Sequence, residues 1–378
     1  MPLVSLVIPA RDEEETIGDC IQRSMKVFED MGIEGEVIVA DSSGDSTPDI
    51  ARSLGAEVVR PDKLGYGNAY LAGFERAQGD YVVIMDGDLT YDPLEMPKFI
   101  RLLESGEADF VIGTRLKGRI ENGAMPALHR HVGNPLLTWI LNRLFGVGIS
   151  DSHCGMRAIS REGLEKLNLR AGGMEFASEM VIEASRKKLR IKEVPITYRP
   201  RRGASKLHSI TDGWRHLRFM MLYRPGPFLF VPGSIALIFG LVLTLMVLMQ
   251  EPTEELRMHS LILGSMLLIM GYQTLLSGLY IGAFGRSYGV EGGKGLTRRL
   301  TSYHSLEKEL ILGAALLAGG VVLGSNVILK WIGVGFGSLQ EVQKAMMAMI
   351  LSIMGIQTIF SAIIISLLLL NSENGYRR

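Results

Sequence analysis

This sequence has few cysteines, no net charge and no basic tract, and each of these features excludes a class of protein. The 378 residues include two cysteines, Cys20 and Cys154, which give neither a disulfide framework nor a zinc-ligand spacing and fit a reducing compartment. The formal net charge is +0, and no basic tract carries interleaved aromatic residues, so nucleic acid is not an expected partner. The N-terminus lacks a basic region followed by an apolar stretch, so a cleaved signal peptide is not expected.

Apolar residues are abundant, and they are concentrated after Pro225. The mean hydropathy is +0.21, which is high for a soluble protein. Four segments contain no charged residue: 226–250, 260–285, 310–329 and 345–370. Each is about 20 residues or longer, enough to cross a hydrocarbon core of ~30 Å as a helix. Buried core helices are the alternative, but they are seldom this long and this uniformly apolar. The sequence therefore predicts four transmembrane helices.

Loop charges predict the orientation of these helices. The loop 286–309 carries five Lys or Arg residues, and three arginines precede the first span, whereas the loop 251–259 has three glutamates against one arginine. By the positive-inside rule, the region before the spans, the loop 286–309 and the C-terminus are expected to be cytoplasmic in a multi-pass membrane protein.

A short strand followed by two carboxylates is the main signal in the first half of the chain. Residues 81–85 are apolar, β-branched or aromatic, as in a strand buried on both faces, and Asp86-Gly87-Asp88 follows at once. Ligands bind at the carboxyl ends of strands in open α/β sheets. Two carboxylates there suit Mg²⁺ or Mn²⁺ shared with a substrate diphosphate. A turn with solvated carboxylates is the alternative interpretation of the triplet alone.

Similar strands alternate with helices along residues 3–113. Strands are predicted at 3–8, 36–40, 56–60, 81–85 and 108–113, and helices between them, one of them near 94–104. This alternation predicts βαβ units and an α/β fold with a mostly parallel sheet flanked by helices. Four strands end in polar segments that would share one edge: Pro9 to Glu13, Asp41 to Asp45, Asp86 to Asp88, and Gly113-Thr114-Arg115. Gly65 and Gly67 lack the spacing of a dinucleotide fingerprint, and a turn before a helix is the alternative reading.

The ordered set of motifs over residues 3–210 resembles family-2 glycosyltransferases of the GT-A fold. In particular it is similar to dolichyl- and polyprenyl-phosphate sugar synthases of the dolichol-phosphate mannose synthase type. The segments that carry the resemblance are Val7-Ile8-Pro9 with Glu13, Asp41 to Asp45, Asp86-Gly87-Asp88-Leu89, Gly113-Thr114-Arg115, Asp151 to Arg157, and Arg202-Gly203-Ala204-Ser205-Lys206.

The resemblance implies a role for each matching position. Asp86 and Asp88 would be catalytic and would hold Mg²⁺ or Mn²⁺, Arg202 and Lys206 would bind phosphate, and Asp151 would act near the acceptor, as a base or by positioning it. The residues implied in nucleotide-sugar binding are Pro9, Arg11, Glu13, Asp41, Gly65, Asp86, Gly87 and Arg115. The chain departs from the mannose synthases at Thr90, where they have Gln, and at Ala10-Arg11, where many relatives have an aromatic residue and Asn.

The implied reaction is an inverting transfer of a sugar from a nucleotide-sugar donor to dolichyl or polyprenyl phosphate at the cytoplasmic membrane face. GDP-mannose, UDP-glucose and UDP-N-acetylhexosamine all remain open as donors. Two other functions are alternatives. A processive polysaccharide synthase of the same fold carries a Gln-x-x-Arg-Trp motif, which this sequence lacks. A non-catalytic transport or scaffold protein with a degenerate transferase domain is disfavoured by the intact Asp86, Asp88, Arg202 and Lys206.

Three regions are expected: a catalytic domain over 1–209, an interfacial amphipathic helix over 210–225 and a four-helix transmembrane domain over 226–378. Ile210, Trp214, Leu217 and Met221 recur at helical spacing with arginines on other faces, as in helices that lie on a bilayer. A surface helix packed on the catalytic domain is the alternative. Residues 134–145 are a second candidate for an interfacial amphipathic helix. The spans allow anchoring, acceptor positioning and homo-oligomer contacts.

Other polar residues are assigned weaker roles. Glu175 and Glu179 share a face of a predicted helix over 174–185 and face the same region in relatives, but the sequence favours a solvated helix carboxylate for at least one of them. His129, His131 and His153 have no partner spacing for a metal site, so none is expected there.

Overall fold

The chain forms two compact units in this computed structural model, Met1–Phe219 and Met220–Arg378. The structure describes residues 3–202, 209–249, 257–287, 303–339 and 341–375. The first unit is an α/β unit, and the second is helical.

A seven-stranded sheet in the order β3-β2-β1-β4-β6-β5-β7 is the centre of the first unit. The strands are β1 Val4–Ala10, β2 Gly35–Asp41, β3 Glu57–Val59, β4 Tyr81–Ile84, β5 Phe110–Ile120, β6 Arg157–Ser160 and β7 Ile191–Tyr198. All neighbours are parallel except β6, which is antiparallel to both β4 and β5. The predicted α/β fold with a mostly parallel sheet is therefore confirmed.

Helices cover this sheet, and their apolar faces form the core. In the first unit they are α1 Ile17–Met31, α2 Thr47–Ser53, α3 Tyr66–Arg76, α4 Met96–Glu104, α5 Asn134–Phe145, α6 Arg161–Lys166 and α7 Phe176–Arg186. A further helix, α8 Ser209–Tyr223, runs across the boundary between the two units. A 3-10 turn at Pro93–Glu95 precedes α4, and a π-helical segment at His129–Gly133 precedes α5. In α4, Met96, Phe99 and Ile100 are fully buried, which is the spacing of one helical face.

The strand directions bring the predicted polar segments to one edge. Because β1, β2, β4 and β5 run the same way, their carboxyl ends meet there. One boundary prediction was wrong. The strand predicted at 108–113 continues to Ile120, so Thr114 and Arg115 lie inside β5, beside an irregularity in its pairing with β7. The polar and exposed residues that follow Arg115 remain part of β5 because the backbone of β7 forms hydrogen bonds with them.

Four long helices form the second unit: α9 Val231–Leu248, α10 Met258–Ser287, α11 Tyr303–Gly333 and α12 Val342–Gly375. A π-helical segment at Gly226–Phe230 leads into α9. All four are long and apolar enough to cross a membrane, over Gly226–Leu248, Met258–Arg286, Leu306–Gly333 and Val342–Leu369. The prediction of four apolar spans is confirmed.

Glycines at seven-residue spacing bring α9 and α10 into backbone contact. Gly233 and Gly240 lie in α9, and Gly264 and Gly271 lie in α10. A Cβ at Gly240 would lie 2.4 Å from Leu268 N, and one at Gly271 would lie 2.3 Å from Leu237 N. Residues seven apart share a helix face, so the spacing gives both helices a stripe without side chains, as small residues do between membrane helices.

Candidate active site

Asp86 follows β4 at the carboxyl edge of the sheet, where two tyrosines of α3 bind it. The hydroxyls of Tyr66 and Tyr70 donate to Asp86 Oδ1 over 3.0 and 3.3 Å. Burial, and after it the charge of Asp88, raises the pKa of Asp86 to about 6, although both tyrosine hydrogen bonds act in the opposite direction. The site thus holds two carboxylates whose negative charges oppose each other.

Asp88 is buried and is oriented by the residue two positions later. The hydroxyl and the backbone N–H of Thr90 donate to Asp88 Oδ1 over 2.6 and 3.1 Å. The other oxygen, Oδ2, lies 3.4 Å from Arg201 Nε. Thr90 therefore stands where the mannose synthases have Gln and acts here by holding Asp88, which leaves Oδ2 directed toward a cationic group.

Glu13, after β1, joins this site through the same arginine. Arg201 Nη2 donates to Glu13 Oε1 over 2.7 Å, and Thr47 Oγ1 accepts from the Glu13 backbone N–H over 2.9 Å. Glu13 and Asp88, from the ends of β1 and β4, are thus both bridged by one guanidinium.

Arg115 and Asp151 form a buried pair with each other. Arg115 Nε and Nη2 donate to the two Asp151 oxygens over 2.7 and 2.8 Å, and the Arg115 backbone N–H donates as well. The guanidinium lies over the Tyr198 ring, 5.2 Å from its centre. Such a bidentate pair fixes both side chains. Both Asp151 oxygens are engaged with Arg115.

The remaining predicted nucleotide-pocket residues lie around the ends of β1 and β2. The Ser43 hydroxyl and N–H donate to the two oxygens of buried Asp41 over 2.5 and 3.3 Å. Pro9 lies beside Ala40 in the β1–β2 register, and Arg11 is exposed beside Asp12. A Cβ at Gly87 would lie 3.0 Å from Ile8 Cγ2, so the backbone between the two aspartates packs against β1.

Position 65, just before α3, must be a glycine for structural reasons. Its φ is +146°, and a Cβ there would lie 2.2 Å from the Gly172 carbonyl oxygen. The Asn68 N–H donates to that same carbonyl over 3.1 Å. The loop 170–172 therefore packs on the start of α3, the helix that carries Tyr66.

Glu179 holds that loop in place. Its carboxylate accepts from the backbone N–H groups of Arg170 and Ala171 over 2.8 to 3.0 Å. Burial raises the pKa of Glu179 to about 7, although the two backbone donors act in the opposite direction. Glu175 lies just before α7. The buried Glu179 is thus a structural carboxylate rather than a solvated one.

The predicted phosphate-binding residues are only partly described. Arg202 lies 3.5 Å from Asp19 of α1 and is largely exposed, whereas Lys206 lies outside the described residues. The arginine that reaches the carboxylates is the preceding one, Arg201.

Two histidines, His153 and His216, contact each other in the first unit. His153 stacks edge-on against His216 with ring centres 4.3 Å apart, and Ser178 Oγ lies 2.8 Å from His216 Nδ1. Burial, and after it the neighbouring His216, holds the pKa of His153 well below its usual range. Within the described ranges, no group of three or more His, Cys, Asp or Glu residues is arranged to hold a metal ion.

Comparison with known proteins decides the family. The model of Glycosyl transferase family 2 matches residues 5–167, and that of the Glycosyltransferase family 2 C-terminal transmembrane region matches residues 281–369. The low-salt glycan biosynthesis hexosyltransferase Agl6 of Haloferax volcanii is 42% identical over 369 residues, which cover 96% of this chain and 88% of that protein. The chain belongs to glycosyl transferase family 2.

Other relatives of this family 2 glycosyltransferase match a little more than half of the chain. The dolichyl-phosphate hexose transferase of Haloferax volcanii is 33% identical over 210 residues, 56% of this chain and 89% of that protein. Among solved structures, glucosyl-3-phosphoglycerate synthase from Mycobacterium tuberculosis in complex with Mn²⁺, UDP-glucose and phosphoglyceric acid is 26% identical. That match covers 58% of this chain and 79% of the other, with a TM-score of 0.49.

The family assignment confirms the resemblance read from the motifs, and with it the GT-A-type fold and the glycosyltransferase activity. The second match makes residues 281–369 a transmembrane region, and the four long apolar helices agree with a multi-pass membrane protein. Sequence reasoning missed Tyr66, Tyr70 and Arg201 as partners of the aspartates. The position of the tyrosines, just after Gly65 and four residues apart on one helix face, was the available signal.

Proposed function

We propose that this glycosyltransferase transfers a sugar from a nucleotide-sugar donor, of the GDP-mannose or UDP-glucose type, to dolichyl or polyprenyl phosphate. The proposal is carried by one observation: Asp86 and Asp88 lie together at the carboxyl edge of the sheet, in a chain that also has a transmembrane region. A lipid phosphate keeps its tail in the bilayer, so its transferase must work at the membrane surface. The name of the dolichyl-phosphate hexose transferase relative supports that acceptor class.

The chemistry of Asp86 and Asp88 fits Mg²⁺ or Mn²⁺. Both are hard oxygen donors, and tyrosine and threonine hydroxyls hold the Oδ1 atoms. Two protein carboxylates suffice for such a cation when the substrate phosphates and water supply its other ligands. A divalent cation bound there would neutralise the charge that develops on the leaving nucleoside diphosphate.

The proposed reaction is a single displacement with inversion. An oxygen of the lipid phosphate forms a bond to the anomeric carbon as the bond from that carbon to the nucleoside diphosphate breaks. The phosphate oxygen is already anionic near neutral pH, so no strong base is needed. The pairing of both Asp151 oxygens with Arg115 supports a positioning role for Asp151 rather than proton abstraction.

Orientation and further contacts belong to the same proposal. The loop charges support a cytoplasmic catalytic unit and C-terminus. In α8, Trp214 is 55% exposed, which supports contact of this helix with a bilayer surface. Arg202 and Lys206 are proposed to bind the donor phosphates, and Pro9, Arg11, Glu13, Asp41, Gly65, Gly87 and Arg115 to line the nucleotide-sugar pocket.

Substitution of Asp88 tests the proposal. In membranes that contain the Asp88→Asn variant, we expect transfer of radiolabelled sugar to polyprenyl phosphate to fall at least about 100-fold, because a cation ligand and its charge are lost. Asp109→Asn is the matched control. Asp109 precedes β5 at the opposite edge and pairs with exposed Arg190, so we expect its transfer to remain within about twofold. Near-normal transfer by Asp88→Asn would overturn the proposed site.

A further inference from the structure

The segment 198–202, which begins at the last residue of β7, is fixed beside the two aspartates by backbone and ionic contacts. Tyr198 pairs with Tyr91, and the Arg199 N–H donates to the Thr90 carbonyl over 2.9 Å. The Arg199 guanidinium lies 2.6 Å from Asp92. These contacts tie the segment to the residues that immediately follow Asp88, so the position of Arg201 is set by its neighbours.

Arg201 lies between two carboxylates in a largely buried environment. Its Nη2 donates to Glu13 over 2.7 Å, and its Nε lies 3.4 Å from Asp88 Oδ2. The side chains of Arg201, Glu13 and Asp88 are only 23%, 12% and 9% exposed. Arg201 Nε is buried and makes no hydrogen bond to any residue that the structure describes. Arg201 therefore places positive charge beside Asp88, although its Nε–H group forms no hydrogen bond there.

We propose that Arg201 is a built-in competitor of the divalent cation at Asp88, so that its guanidinium lowers the affinity of the site for free metal. This inference rests on the proposed function, in which Asp88 is a cation ligand. A guanidinium and a divalent cation repel each other, and both are attracted to the same Oδ2 atom. In a site with little solvent, this repulsion is weakly screened.

The consequence concerns the order in which ligands enter. A cation that binds alone must either displace the Arg201 guanidinium or bind beside it, where the two positive charges repel each other. A cation that arrives with a nucleoside diphosphate brings anionic oxygens, and these give the guanidinium a new charge-assisted partner. The arginine therefore favours binding of the cation together with a diphosphate over binding of the cation alone.

Binding of Mn²⁺ alone, measured by the electron paramagnetic resonance signal of free Mn²⁺, tests the inference on the full chain in detergent micelles. We expect Arg201→Gln to bind Mn²⁺ about tenfold more tightly than the unchanged protein, within the usual range of coupling between two ligands of one protein. Arg201→Lys keeps the charge but loses the fork that bridges Glu13 and Asp88, so we expect a gain of about threefold. Unchanged or weaker binding in both variants would overturn the inference.

Two further variants separate the possible causes of failure. Arg199→Gln removes an arginine from the same segment, but one that is paired with Asp92, so we expect its Mn²⁺ affinity to stay within about twofold. An equal gain in Arg199→Gln would show that loosening of the segment, rather than the charge of Arg201, sets the affinity, and would contradict the inference. Asp88→Asn must weaken Mn²⁺ binding. If it does not, the proposed metal site itself is wrong, whereas a failure confined to Arg201 leaves that site intact.

Discussion

Individual residues in this site are held by neighbours that differ in chemistry. Asp86 accepts from two tyrosines of α3, whereas Asp88 accepts from the adjacent Thr90 and faces Arg201. One oxygen of each carboxylate is therefore fixed by hydroxyl groups. This arrangement orients two like charges that would otherwise turn apart, as the proposed shared cation would require.

Glu179 gives a residue-scale prediction about pH. Because its folded pKa is raised from 4.5 to about 7, the folded state binds a proton that the unfolded state releases. Its contribution to stability is therefore complete below about pH 4.5 and is lost as the pH rises to about 7. The shift corresponds to about 3 kcal/mol. We expect the thermal unfolding midpoint of the unchanged protein to fall across this window relative to that of Glu179→Gln.

The comparison between those two proteins is the measurement, made by intrinsic fluorescence at several pH values. Glutamine keeps one carbonyl oxygen for the backbone donors of the loop 170–172 but does not titrate. A difference in midpoint that stays constant from pH 4.5 to 7 would contradict the assignment of Glu179 as a buried titrating carboxyl.

At this same scale, the sequence predicted the aspartates but not their partners. Asp86 and Asp88 are recognisable because two carboxylates end an apolar strand. Tyr66, Tyr70 and Arg201 are separated from them by 16 to 115 positions, and only the folding of α3 and β7 onto one edge brings them together. The pairing of Arg115 with Asp151 was equally hidden, since each residue was assigned a ligand of its own.

Elements were predicted where the pattern is strong and local. The strands β1, β2 and β4 and the four long apolar helices follow from runs of one residue type. The strand β6 was missed because Arg157–Ser160 is short and begins with a charged residue. Arg157 is nevertheless fully buried, since it donates to the carbonyls of Ser152, Cys154 and Ala177. Hydrogen bonds between a buried arginine and carbonyl groups from other parts of the chain leave no pattern in the local sequence.

The contact between α9 and α10 gives an element-scale prediction. A methyl group at Gly271 would lie 2.3 Å from Leu237 N and 2.8 Å from the Gly233 carbonyl, so Gly271→Ala must push the helices apart. We expect a cost of about 1–3 kcal/mol, as for overpacked cores, seen as a lower temperature of aggregation in detergent.

Gly319→Ala in α11 is the matched control. A Cβ there meets only Leu351 Cδ1 at 3.9 Å, and alanine also has the higher helix propensity. We expect no loss of stability in that variant. Equal stability of both variants would show that α9 and α10 do not pack through their glycines.

The whole molecule combines a glycosyltransferase unit with paired carboxylates and a transmembrane region within one chain. The family 2 domain and its C-terminal transmembrane region are shown by separate matches. The proposed lipid-linked acceptor would need both units, because its phosphate would remain at the membrane surface while the donor comes from water.

The most direct test of this account is the product that the full chain makes in membranes. The assay supplies polyprenyl phosphate and radiolabelled GDP-mannose, UDP-glucose or UDP-N-acetylhexosamine in turn, with Mn²⁺ or Mg²⁺ and with a chelator. The account predicts a chloroform-soluble product that carries a single sugar, that forms from one donor and that disappears when the cation is removed. A water-insoluble polymer, or no lipid product from any donor although the protein is folded, would contradict it.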